Sequence, residues 1–232
     1  MVLKAVFLDV GNTLVHEEPT RFEIYAEGAR RRGVVLETEA MHALMRLAHR
    51  ELPREIGGAF RYTDRWFEAY IERIFHIGLG LPRAELAPLH EELFSRFADP
   101  ATFALHPGAI ELLERLRARG LKVGIVSNWS HRLPRLLEDL GVSRRVDFVL
   151  CSALERLEKP EPAIFERALA RAGVAAEEAL HAGDDYEKDF LGASRAGLRA
   201  VLVDHSRTAR AEVTPRVHAL VELDELVTRW QR

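Results

Sequence analysis

Near the start of the chain, Val2-Leu3-Lys4-Ala5-Val6-Phe7-Leu8 makes an apolar run broken only by Lys4, and Asp9-Val10-Gly11-Asn12-Thr13 follows at once. A run of this kind reads as a strand buried on both faces, as in the middle of a parallel sheet. In open α/β sheets ligands collect beyond the carboxyl ends of the strands. Asp9 is therefore expected at the mouth of a crevice, where a nucleophile would be placed, with Gly11 permitting a sharp turn.

This arrangement resembles the first motif of the haloacid dehalogenase superfamily, an aspartate nucleophile followed by a turn that ends in Thr, here Thr13. Most phosphatases of that superfamily carry a second aspartate two residues after the nucleophile. Gly11 holds that position here.

The pattern changes after Glu18. Arg21 to Arg32, Glu39 to Glu51, Asp64 to Ile77 and Arg83 to Phe97 carry apolar residues at spacings of three and four, separated by Pro and Gly, which predicts about four helices. They interrupt the sheet just after its first strand, and the resemblance implies a helical cap over residues 16–103. Gly57-Gly58-Ala59-Phe60-Arg61-Tyr62 is expected as a mobile loop whose Arg61 would meet an anionic group of a substrate. The alternative is that the cap aromatics simply pack.

From His106 onward strands alternate with helices. Apolar runs at 121–126, 146–150, 179–182 and 200–203 read as strands, with helices from Pro107 to Gly120, around Leu133 to Leu140, from Pro162 to Arg171, from Glu187 to Ala196 and from Leu220 to Trp230. The alternation argues for an α/β fold, a doubly wound parallel sheet formed by residues 1–15 and 104–232.

The strand ends carry the chemistry. Transfer of a phosphoryl group to a carboxylate needs an ionised oxygen, a divalent cation, and donors or cations around the phosphoryl oxygens. Asp9, Ser127, Lys159 and the Asp184/Asp189 pair match the superfamily's four motifs residue by residue and in order. The resemblance then implies Asp9 as nucleophile, Ser127 and Asn128 as phosphoryl donors, and Lys159 as the cation that keeps Asp9 ionised. Mg²⁺ would be held by Asp9, the Gly11 carbonyl, Asp184, and Asp189 or Asp185. Thr13 would steady the turn through its hydroxyl.

Gly11 offers no acid/base group, and Asn12 exchanges no proton near neutral pH. The expectation is thus a slow Mg²⁺-dependent phosphatase biased to activated esters of small metabolites, with His16, Glu17 or Glu18 as possible substitutes. One alternative is a catalytically weak member that binds a phosphorylated ligand or a protein partner. Another is 2-haloacid dehalogenation, although those enzymes typically place Tyr at the Gly11 position and use no metal. Phosphonatases need a cap lysine, and residues 15–105 contain none.

Composition sets outer limits. The 232 residues carry a formal net charge of −3, which lacks the footprint of a nucleic-acid binder. No apolar segment approaches membrane-span length and no signal-peptide pattern precedes the first strand, so a cytoplasmic protein is expected, and the resemblance implies a monomer or homodimer. The single cysteine, Cys151, reads as a small buried hydrophobe.

Overall fold

The computed structural model describes residues 2–208 and 213–231. The chain divides into two compact units, Met1–His16 with Leu105–Arg232, and Glu17–Ala104. The first strand, β1, is Ala5–Leu8, and all four residues are buried. The short strand β2, Val15–Glu17, leads out of the turn that follows.

The second unit is helical. Its first helix, α1 (Arg21–Arg30), opens on a reciprocal cap: the Thr20 hydroxyl accepts the Glu23 N–H while the Glu23 carboxylate accepts the Thr20 N–H at 2.8 Å. Such a cap contributes about 1 kcal/mol. Then come α2 (Thr38–Glu51), the two-residue strands β3 (Glu55–Ile56) and β4 (Ala59–Phe60), α3 (Asp64–Ile71) and α4 (Leu86–Ala98). The expected Gly57-Gly58 loop is the tight turn of an antiparallel β3–β4 hairpin. Both glycines adopt positive φ, 55° and 80°, which a two-residue hairpin turn requires and which side chains disfavour.

The expected helix over 64–77 leaves α-geometry at Glu72 and continues as a π-helical segment to Gly78. The core of this unit is aromatic. Tyr25 stacks on Phe75 with centroids 5.7 Å apart, and Trp66 on Tyr70 at 5.2 Å. The Trp66 indole donates to the Pro53 carbonyl at 2.8 Å and the Tyr70 hydroxyl to the Met45 carbonyl at 3.1 Å, so both rings bury without stranding a polar tip.

The chain leaves this unit through β5 (Phe103–Leu105), which pairs with β2. The remainder alternates: α5 (Ala109–Ala118), β6 (Lys122–Ser127), α6 (Leu133–Asp139), β7 (Phe148–Cys151), the single-turn α7 (Ser152–Glu155) and α8 (Pro162–Ala172). Strand β8 (Ala179–Gly183), the short helix α9 (Gly192–Arg195), β9 (Arg199–Val203), β10 (Arg216–Val217) and α10 (Leu220–Trp230) complete it. The expected helix over 187–196 is π-helical from Tyr186 to Leu191 before it becomes α9.

Six strands form one parallel sheet in the order β10-β9-β8-β1-β6-β7. The fold is α/β and doubly wound, with β1 at the point where strand order reverses. On one face Phe7, Val126 and Leu150 meet Ile164, Phe165 and Ala168 of α8. Each of these side chains larger than alanine contributes roughly 1.5–3 kcal/mol by leaving water. No helix among the described residues is long and apolar enough to cross a membrane.

Candidate active site

Three adjacent strands deliver the central groups. Asp9 follows β1, Ser127 ends β6, and Asp184 follows β8, all at carboxyl ends. Lys159 arrives from the loop after α7. Its ammonium donates to Asp9 Oδ1 at 2.6 Å and also to Asp189 Oδ1, while the Ser127 hydroxyl donates to the same Asp9 oxygen at 2.9 Å. Asp9, Ser127, Lys159 and Asp189 are all buried. Among the described residues no hydrogen bond engages the other Asp9 oxygen, Oδ2.

Beneath these groups lies a residue that motif reasoning missed. His181, fully buried in the middle of β8, places Nε2 2.8 Å from Asp189 Oδ1. Burial lowers its pKa, so the ring is neutral and donates through Nε2. Its Nδ1, the acceptor nitrogen in that tautomer, has no hydrogen-bond partner among the described residues, so no N–H is stranded there. The signal was present in sequence: a polar side chain inside Ala179-Leu180-His181-Ala182 must satisfy its buried nitrogen somewhere.

The charges do not balance within the cluster. Burial alone would strip the Lys159 proton, but Asp189 and Asp9 outweigh it and hold the ammonium above the ordinary lysine range. Burial likewise opposes ionisation of Asp189, and Lys159 and His181 overcome it, leaving that carboxyl well below its usual value. Asp184 has no such help. Burial, then Asp9, then Asp189, push its carboxyl up to about 8.

Ligand oxygens of Asp9, Asp184 and Asp189 lie within 4.8 Å of one another. Ionised together, three carboxylates against one lysine would leave two negative charges unmatched, and hard oxygens in this number fit a hard divalent cation. Asp189 is the most committed of the three, since Oδ1 accepts from Lys159 and His181 and Oδ2 from the Asp185 N–H at 3.1 Å.

The remaining expected residues divide. The Asn128 amide closes on the Lys159 backbone, donating to its carbonyl at 2.9 Å and accepting its N–H at 2.8 Å, so it sets the height of the lysine. Asp185 caps the turn that follows it, accepting the N–H groups of Glu187 and Lys188. Asn12, in the left-handed region at φ 52°, directs its amide toward Asp184 Oδ2 at 3.4 Å. Gly11 stands half-buried in the turn between Asp9 and Asn12. The Thr13 hydroxyl is buried without a hydrogen bond among the described residues; the Val10 carbonyl closes the turn instead, accepting the N–H groups of Thr13, Leu14 and Val15. Arg61 belongs to the helical unit, where its guanidinium donates to the Leu52 carbonyl at 3.2 Å and covers the Trp66 ring at 5.6 Å.

Gly183, just before Asp184, is required by close approach. A Cβ there would stand 2.3 Å from Asp189 Cγ.

Known proteins share this plan. The family model for haloacid dehalogenase-like hydrolases matches residues 3–197. The chain belongs to the haloacid dehalogenase-like hydrolases. Among its relatives, haloacid dehalogenase-like hydrolase domain-containing protein 3 of Mus musculus is 34% identical over 227 residues, covering 94% of this chain and 90% of that protein. A ribulose-1,5-bisphosphate 5-phosphatase of Halopiger xanaduensis is 32% identical over 212 residues, covering 89% of this chain and 87% of its own. The crystal structure of a HAD phosphatase from Thermococcus onnurineus superposes with a TM-score of 0.68 at 25% identity, over 97% of this chain and 98% of that one. Within this family the strand-end cluster is the place to look for the hydrolytic chemistry.

Proposed function

We propose that this hydrolase cleaves small phosphate monoesters by way of an aspartyl-phosphate on Asp9. The observation that carries the reading is the double anchoring of Asp9 Oδ1 by Ser127 and Lys159, which leaves Oδ2 for attack. The phosphatase relatives support the substrate class. In the first step Oδ2 bonds to phosphorus as the ester oxygen departs with its electron pair. In the second, water displaces the carboxylate and phosphate leaves. Lys159 and Ser127 hold the nucleophile and offer positive charge and a donor to the transferring group.

Asp9, Asp184, Asp189 and the Gly11 carbonyl would hold Mg²⁺, which when bound neutralises the anionic charge gathered there. Departure of the ester oxygen calls for a proton, and an acid/base group at that point is typically worth 10²–10⁴-fold. Gly11 cannot supply it, so turnover is slow and favours aryl and acyl phosphates. We assign Arg61 to packing within the helical unit. The protein is taken as a cytoplasmic monomer or homodimer.

The test is a panel of phosphate esters with Mg²⁺ and with EDTA, beside Asp9→Asn. The expected result is Mg²⁺-dependent turnover that falls about 10⁴-fold or more in the variant. Full activity in Asp9→Asn would refute the reading. A second reading, binding of a phosphorylated ligand without efficient hydrolysis, is favoured by Gly11 alone. It is recognised by no turnover across the panel together with a Mg²⁺-dependent thermal shift by phosphate. Halide release from a 2-haloacid in EDTA would point to dehalogenation.

A further inference from the structure

Three imidazoles stand against the turn that carries Asp9, apart from the carboxylate and lysine cluster. The His205 and His106 rings stack with centroids 3.9 Å apart and planes 16° apart, and His16 lies beyond His106 at 4.6 Å. The His106 backbone N–H donates to the Leu14 carbonyl at 2.8 Å. His205 Nε2 sits 3.0 Å from the Thr13 carbonyl oxygen, and its Nδ1 sits 3.2 Å from that of His218.

Carbonyl oxygens only accept. A neutral imidazole carries one N–H and can satisfy one of these contacts, whereas the doubly protonated ring satisfies both. Around it stand further imidazoles, carboxylates and a guanidinium. Burial, then His205 and His16, push His106 down to about 4, so it stacks as a neutral ring. His218 directs Nδ1 to the Asp204 carbonyl at 2.9 Å, and its backbone N–H is accepted by the Glu222 carboxylate. The Asp204 carboxylate accepts the Thr208 N–H, with the Arg216 guanidinium 3.8 Å away.

The contact reaches the nucleophile through the backbone. The turn closes inward on the Val10 carbonyl, while its outward carbonyls, Thr13 and Leu14, are taken by His205 and His106. Among the described residues the Thr13 hydroxyl makes no hydrogen bond that would replace them.

We propose that His205 is a positioning residue for the hydrolysis: its two N–H groups tie the Asp9 turn to His218, just after β10, and hold the nucleophile in line. The idea rests on the proposed role of Asp9, and its chemical signature is the second proton. As pH rises and that proton leaves, one of the two bonds is lost, so turnover falls on the alkaline side.

The experiment follows the His205 ring nitrogens of the wild-type protein by ¹⁵N NMR from about pH 5 to about pH 9, beside the rate profile for an aryl phosphate. Both nitrogens should carry protons where turnover is maximal, and the rate should fall in step with loss of one. His205→Gln should lower kcat at least about tenfold, leave KM within about twofold and lack that alkaline limb. A neutral His205 at the pH of maximal turnover overturns the proposal, as does a His205→Gln profile identical to wild type. If no phosphate ester is turned over at all, the reading of Asp9 fails instead, and the bridge is still decided by the NMR signals.

Discussion

The two units bury different things. The helical unit closes over Tyr25, Trp66, Tyr70 and Phe75, and the polar tips of Trp66 and Tyr70 are met by backbone carbonyls. The sheet unit closes over a mostly aliphatic core but also buries Asp9, Lys159 and Asp189 together beyond its strand ends, with His181 inside β8 against Asp189. Burying aromatic surface stabilises outright, while burying ions costs desolvation that their mutual attraction only partly returns. The contrast teaches where function resides: charge is retained in the interior where it acts, and the residual imbalance falls on Asp184.

That contrast can be broken by mutation, and the largest effect is expected at Lys159. Lys159→Met leaves Asp9 and Asp189 buried without their cation, so denaturant unfolding should show a loss of about 3–5 kcal/mol in the absence of Mg²⁺. Turnover should fall with it. A variant as stable as wild type would mean that the ion pairs contribute nothing. In the other unit, Trp66→Ala should cost about 3–5 kcal/mol through lost burial and a cavity, with no dependence on Mg²⁺. A Mg²⁺-sensitive Trp66→Ala would blur the distinction between the units.

A smaller change sharpens the comparison. Gly183→Ala forces a methyl against the Asp189 carboxyl and should cost about 1–3 kcal/mol by overpacking, with a larger proportional loss in kcat than in stability. Equal kcat in wild type and variant would show that Asp189 can move without consequence.

The subtlest expectation is a pH slope. Because the Asp184 carboxyl is raised from 3.8 to about 8, the folded state binds a proton that the unfolded chain has released between those values. His106 and His181, held below 6.5, oppose this slope at lower pH, so above 6.5 stability without metal should fall as pH rises towards about 8. Saturating Mg²⁺ should abolish the slope. A metal-free melting temperature that rises between about pH 7 and about pH 8 would contradict the assignment.

Much of this was legible in the chain, and for physical reasons. Strands buried on both faces announce themselves as apolar runs, and the terminal helix was bounded as Leu220–Trp230 from its spacing alone. Apolar spacing could not separate α from π turns at Glu72–Gly78 and Tyr186–Leu191, because the same residues face inward in both. The edge strand Arg216–Val217 is too short to show a period. At the site, Asp9, Ser127, Lys159 and Asp184 stood out as polar residues at or beyond the ends of buried runs, and Asp189, inside the following helix, through the family resemblance. The work of Asn128 on the lysine backbone, His181 under Asp189 and His205 on the turn depends on contacts across as many as 192 residues, which no local pattern encodes.

The most direct test of the central claim is to trap the nucleophile. Wild-type protein mixed with Mg²⁺ and an aryl phosphate in a single turnover, quenched in acid within milliseconds and mapped by mass spectrometry, should carry a phosphoryl group on Asp9. Release of the phenol with Asp9 unmodified and the phosphoryl group on another residue would contradict the account.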